Sequence, residues 1–158
     1  MKLLEGKNTI ITGASRGIGN GIAKVFAQNG ANVAFTYSSS AGPAEELEQE
    51  LLAMGVKAKA YKSNAASFED CQELVKQISA DFESIDVLVN NAGINKIGQF
   101  ASFKIDDFDQ ILRVNLRAPF ILCQAVIPYM KQQNWGRIVN LTSIFGNISK
   151  EYRAPYSS

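Results

Sequence analysis

Five short apolar runs separated by amphipathic segments predict an α/β fold for this chain, a three-layer, doubly wound parallel sheet with helices on both faces. Three observations carry that expectation. Strand and helix patterns alternate along the whole length, with no internal repeat or low-complexity stretch. Parallel strands need right-handed, helix-filled crossovers, and a helical pattern stands between the apolar runs. A glycine-rich turn, residues 12–19, directly follows the first run and opens the first helical pattern. The 158 residues fit one domain, 1–158, long enough to bury a core of its own.

Residues 8–12 are a β-branched run ending in the glycine turn, a buried strand. Ile18, Ile22, Val25 and Phe26 then recur at helical spacing up to Asn29-Gly30, a helix stop. Residues 32–37 read as the second strand. After Ser38-Ser39-Ser40, Pro43 opens a helix with Leu47, Leu51 and Met54 on one face and Glu45, Glu46 and Glu48 in its first turns. Residues 56–61 form a third strand, and a helix follows from about Ser67, where Glu69 and Asp70 suit an N-terminus. Residues 85–90 are a continuous apolar strand running into Asn91-Ala92-Gly93. Asp106 or Asp107 opens a long helix reaching about Met130, with a bend expected at Pro119. Residues 137–142 are the fifth strand. Ligands of such sheets bind at the carboxyl ends of the strands, beside the switch in strand order. The loops after Thr12, Tyr37, Tyr61, Asn90 and Thr142 therefore come first as site elements.

Composition narrows the function classes. Sixteen Lys and Arg nearly cancel fifteen Asp and Glu, which argues against nucleic acid or a membrane surface recruited by bulk charge. No apolar run in the sequence approaches the length of a membrane span, and residues 1–6 lack the apolar stretch of a signal peptide. Cys71 and Cys123 read as two structural thiols of a reducing, cytoplasmic compartment rather than a disulfide or a metal pair. Without a histidine there is neither a Ser-His triad nor a His-ligated zinc site, so no metal is expected and any acid–base chemistry falls to other residue types.

Thr12-Gly13-Ala14-Ser15-Arg16-Gly17-Ile18-Gly19 stands in the strand–turn–helix context that a dinucleotide fingerprint requires. Gly13 allows the tight turn, Gly17 lets the backbone approach a pyrophosphate, and Gly19 permits close packing of helix on strand. The helix start offers the phosphates unpaired N–H groups and a positive dipole end. The spacing resembles the Thr-Gly-x-x-x-Gly-x-Gly signature of the short-chain dehydrogenase/reductase family, whose fold is Rossmann-like. The second strand ends at Thr36-Tyr37-Ser38 with no acid to hold the ribose hydroxyls of NAD, whereas Arg16 would pair with a 2′-phosphate. The cofactor expected is NADP(H). Asn90-Asn91-Ala92-Gly93 matches the family's Asn-Asn-Ala-Gly motif, which implies that Asn91, Ala92 and Gly93 shape the adenosine side of the cofactor pocket. On bare chemistry the same residues are an ordinary turn. After the third strand the family often has an Asp against adenine. Here the stretch is Ser63-Asn64-Ala65, and Asn64 would meet an adenine edge instead.

The resemblance further implies an active site of Asn115, Ser143 and Tyr156. Tyr156 is the general acid and also borders the cofactor, Ser143 orients the carbonyl oxygen, and Asn115 holds a water that relays protons toward a lysine. Tyr152 is a loop aromatic, wrongly spaced from Ser143. A phenol serves as the acid only if a nearby ammonium and the nicotinamide charge pull its pKa below about 10. The family's lysine belongs four positions after Tyr156, beyond Ser158. The chain is therefore expected to be a fragment lacking the C-terminal strands and helices, inactive taken alone.

The opening residues through Tyr37 most resemble 3-oxoacyl-(acyl-carrier-protein) reductases, ketone-reducing enzymes of fatty-acid synthesis. Two stretches depart from them, Ile94-Asn95-Lys96-Ile97 and Gln132-Gln133-Asn134-Trp135-Gly136, where Lys131 and Arg137 are the nearest cations for an acidic carrier protein. The substrate expected is a ketone, small or bound to acyl carrier protein. Alternatives are a dehydrogenase of a sugar, polyol or other small alcohol, and a catalytically inactive cofactor-binding fragment. The resemblance implies a homotetramer or homodimer, joined partly through the long helix 106–130, whose outer face should then be apolar.

Overall fold

The computed structural model describes residues 2–157, so Met1 and Ser158, the outer bounds of the expected domain, lie outside the described residues. Five strands, β1 (Asn8–Ile11), β2 (Asn32–Tyr37), β3 (Ala58–Lys62), β4 (Val87–Asn90) and β5 (Arg137–Asn140), form one sheet in the order β3-β2-β1-β4-β5. Every pairing is parallel, with Ile10 beside both Ala34 and Leu88 and Val89 beside Val139. The order turns back at β1, with β2 on one side and β4 on the other. That reversal opens a crevice between the two flanking crossovers. β2 matches its expected run, β3 starts two residues late and ends one beyond, and β1, β4 and β5 are one or two residues shorter than expected, because ladder bonding ends where the loops turn away.

The pleat sends alternate side chains to opposite faces, and each face has its own core. Ile11, Val33, Phe35, Val87 and Val89 pack under α1 (Gly17–Gln28) and α2 (Ala41–Ala53). Ile10, Ala34, Tyr61 and Leu88 pack under α3 (Phe68–Phe82) and α5 (Ala118–Gln132). This is the three-layer, doubly wound parallel arrangement that the sequence implies, Rossmann-like in topology.

Three details differ from expectation. Helix α1 does not bury its large apolar residues. Gly19, Ala23 and Ala27 face the sheet, while Ile18 is 70% and Val25 54% exposed. Small residues on the inner face let the helix axis lie close to β1 and β2, and Ile22 and Phe26 only flank the contact. In α2 the first turn carries no acid. Glu48 instead reaches across to accept the backbone N–H of Ala60 in β3.

The long helix is the third. It consists of α4 (Ile105–Leu112), a five-residue π segment (Arg113–Arg117) and α5, with Pro119 in the first turn of α5. The irregularity is therefore a widened turn ahead of the proline rather than a bend at it. The unbroken stretch Ile105–Gln132 is, by length and hydropathy, long and apolar enough to cross a membrane, contrary to the expectation from apolar runs alone. Its Ile111, Val114, Ala118, Ile121, Leu122 and Val126 are buried against the rest of the fold, the stripe of a core helix.

Candidate active site

The site grows out of the first turn of the chain. Gly13 and Gly17 take positive φ, +66° and +62°, conformations that bring the backbone round between β1 and α1. A Cβ on Gly13 would meet Ala92 Cα at 3.0 Å, whereas a Cβ on Gly17 would meet nothing within 4 Å. The turn is thus closed on its protein side and open at Gly17, where the start of α1 has no capping side chain. That bare helix start suits a phosphate group.

The turn is held by residues from two neighbouring strands. Thr12 Oγ1 accepts the backbone N–H groups of Asn91 (3.0 Å) and Ala92 (2.9 Å). Asn91 Nδ2 donates to the carbonyls of Thr12 (2.8 Å) and Gly13 (3.1 Å). From β2, Thr36 Oγ1 accepts the N–H of Gly13 and the Thr36 carbonyl accepts that of Ala14, both at 3.0 Å. Behind the turn, a Cβ on Gly19 would lie 2.5 Å from Asn91 Nδ2 and 2.8 Å from the Gly13 oxygen. Only glycine admits this packing. Asn90, buried at the end of β4, donates to Asn140 Oδ1 on β5 at 2.8 Å and so ties those two strand ends.

A groove of about 440 Å³ runs over the carboxyl ends of β3, β2, β1 and β4. Of the residues expected to bind cofactor, Gly13, Ser15, Arg16, Gly17, Tyr37, Ser38, Asn64, Ala65, Asn91, Ala92 and Gly93 line it. Thr12, Ile18, Gly19 and Tyr156 do not. Thr12 and Gly19 are buried and act by holding the turn, and Ile18 points to solvent from the first turn of α1. Ser39, Ser40, Ser63, Gln110 and Val114 also border the groove and were not expected. The serines beside Tyr37 and Asn64 were close enough in sequence to be found. Gln110 was not, because only the packing of the long helix brings it there.

Asn115 lies in the π segment, and its amide bonds the backbone of Ile94 through both oxygen and nitrogen. Oδ1 accepts the N–H of Ile94 and Nδ2 donates to the Ile94 carbonyl, each at 2.8 Å. This pair locks the loop after β4 to the long helix and sets Asn115 Oδ1 beside Gly93. On the far side of the groove, Ser143 follows β5, and its Oγ accepts the N–H of Phe145 at 3.2 Å in the turn Ile144–Gly146. Tyr156 is half-buried in the short helix α6 (Ala154–Ser157), with its ring edge-on to Phe145 at 6.3 Å between centroids. Ser143 and Tyr156 are thus brought to one turn. Tyr152 is exposed at positive φ, +64°, and its carbonyl accepts the N–H of Gly98.

A doubly wound sheet with a glycine-lined crevice at its switch point defines a nucleotide-binding α/β protein. The chain belongs to the short chain dehydrogenase family, whose model matches residues 7–158. It is 41% identical over 150 residues to a 3-oxoacyl-[acyl-carrier-protein] reductase of Staphylococcus epidermidis, covering 95% of this chain and 62% of that protein. It is 38% identical to an L-rhamnose 1-dehydrogenase (NAD(P)(+)) of a Sphingomonas species, covering 99% of this chain and 62% of the relative. A short chain dehydrogenase from Burkholderia cenocepacia, solved in complex with NADP, superimposes with a TM-score of 0.92 at 35% identity, covering 98% of this chain and 62% of that one. The chain thus spans about three-fifths of the length of the proteins it matches.

Proposed function

We propose that residues 1–158 form one NADP(H)-binding unit of an oxidoreductase that reduces a ketone to a secondary alcohol, with a 3-oxoacyl group on acyl carrier protein as substrate. The observation that carries the cofactor is the groove itself. Its open glycine turn suits a pyrophosphate, and Arg16 lines the same groove as Ser38, Ser39 and Ser40, with no carboxylate at the end of β2. A guanidinium with hydroxyl neighbours suits a 2′-phosphate, whereas a ribose diol would call for an acid.

Bound NADPH would supply the hydride to the carbonyl carbon. The Tyr156 hydroxyl gives a proton to the oxygen as charge develops there. Ser143 Oγ already accepts from Phe145, so its O–H proton is free to point at the same oxygen and orient it. The side chain of Asn115 is bound up with Ile94 and does not hold the relay water. Pro119 has no N–H, so the Asn115 carbonyl lacks the donor that an α-helix provides four residues on. That carbonyl takes over the role of water acceptor.

The 3-oxoacyl substrate is supported by the 41% relative. Lys131 is exposed near the start of β5, and Arg137 lies over the Trp135 ring at 5.0 Å, cations within reach of an acidic carrier. A sugar alcohol is the second reading, favoured by the 38% identity to the rhamnose dehydrogenase. The free thiols Cys71 and Cys123 suit a cytoplasmic setting. The exposed apolar residues Leu116, Phe120 and Ile127 suit a homodimer or homotetramer built on the long helix.

Titrating the protein with NADPH and NADH tests the cofactor assignment. Arg16→Ala should weaken NADPH by roughly tenfold or more, as loss of a charge-assisted pair does, and leave NADH within about twofold. Equal losses for the two would remove Arg16 from the 2′-phosphate.

A further inference from the structure

The core under α3 and α5 changes character at its upper end. Thr12, Thr36, Ser63 and Asn90 stand two residues beyond Ile10, Ala34, Tyr61 and Leu88 respectively, so the pleat turns their side chains to the same face. Four neighbouring strand ends therefore lay polar groups over an apolar core, and a chamber of about 10 Å³ lies among them. Thr36, Ser63, Ala65, Ala92 and Val114 line both this chamber and the groove, and so form the partition between the two.

Asn90 lines the chamber and is only 4% exposed. Its Nδ2 donates to Asn140 Oδ1 at 2.8 Å and to Cys123 Sγ at 3.4 Å, and neither partner borders the chamber. Its Oδ1 is buried and bonds to no described residue, so this is the end of the amide turned inward. Turning the Asn90 and Asn140 amides over together would keep the bond between them and set the Asn90 nitrogen at the chamber instead. A polar atom faces it either way, and a buried polar atom calls for a partner.

The lining says what that partner is. Thr12 Oγ1 already accepts the N–H groups of Asn91 and Ala92 and turns its proton to the Val89 carbonyl at 3.4 Å. Thr36 Oγ1 accepts the Gly13 N–H but gives its own proton to no described residue, and the Ser63 hydroxyl bonds to none. Such a lining around room for one small molecule fits water, which needs about two to four polar partners.

We propose that the chamber is a binding site for one buried water, which donates to Asn90 Oδ1 and accepts from the Thr36 hydroxyl, with Ser63 at its rim. The water ties the end of β4 to that of β2 beneath the floor of the groove, whether or not the groove takes NADP(H).

A high-resolution crystal structure of the unaltered protein tests this without any variant. The expected result is one water peak within hydrogen-bond distance of Asn90 Oδ1. An empty chamber, or an Asn90 amide whose inward end finds a protein partner, would overturn the proposal. In solution, a held water gives the Ala92 N–H cross peaks of opposite sign in NOE and rotating-frame NOE spectra at the water resonance. Asn90→Leu, close in size but without the acceptor, should lose those cross peaks. Their persistence in a folded Asn90→Leu would trace them to the Thr and Ser hydroxyls and overturn the proposal as well.

Discussion

Asn91 anchors the glycine turn through its side-chain amide, and Thr12 anchors the loop after β4 through its hydroxyl, so two neighbouring strand ends hold each other. The glycine spacing made Gly13, Gly17 and Gly19 visible in the sequence, but their roles separate only in three dimensions. Gly17 leaves room for a ligand, whereas Gly19 leaves room for Asn91. Thr36 was illegible because nothing in a β-branched residue announces that the register of β1 on β2 sets it under Gly13. The chemistry proposed for Tyr156 rests on its hydroxyl alone. Tyr156→Phe in the active protein should lower the reduction rate by at least about a hundredfold, the usual worth of a positioned acid, while NADPH affinity stays within a few fold. Turnover near the unaltered rate would take Tyr156 out of the mechanism.

Strand β3 and helix α3 are joined by a polar clasp that the hydrophobic pattern does not announce. Asp81 Oδ2 receives the Lys59 ammonium at 2.7 Å and the Tyr61 hydroxyl at 2.6 Å, and Lys57 caps the Asp81 carbonyl. The bonds from Lys59 and then from Tyr61 hold the Asp81 carboxyl below its ordinary value, while burial, helped by Asp81, pushes the Tyr61 phenol up. Because the folded carboxyl is the stronger acid, its contribution is complete above the unfolded value of about 3.9 and is lost as pH falls through the lower folded value. Melting temperature followed from pH 6 to pH 2 should therefore drop less steeply in Asp81→Asn than in the unaltered chain. Parallel curves would assign the acid limb to other carboxylates. Element order, strand identity and the start of α3 near Ser67 were legible from apolar period and polar punctuation. The inner face of α1 was not, because close approach selects Gly19, Ala23 and Ala27 while the pattern favoured the bulkier Ile18 and Val25.

Taken whole, the molecule buries two cores around its sheet yet leaves apolar side chains along the outside of the long helix. Leu116, Phe120 and Ile127 are exposed, Phe120 by 68%, more than a lone surface aromatic in a monomer calls for. If that stripe is where copies meet, Phe120→Glu should lower the mass found by sedimentation equilibrium to that of one chain, with an unchanged far-ultraviolet spectrum. An unchanged mass would place the contact elsewhere.

The widened turn at Arg113–Arg117 divides the long helix into two lengths that are out of step with each other. Each residue of an α-helix advances the chain by about 100°. Winding the same residues as regular α-helix would rotate everything beyond the segment by roughly that angle. Ile121, Leu122 and Val126 would then swing off the sheet, or Ile111 and Val114 would if the downstream half held its place. The segment is thus a phase correction between two packed surfaces. Asn115 lies at the middle of that correction, so the spacing that keeps the core in register also keeps its amide on Ile94.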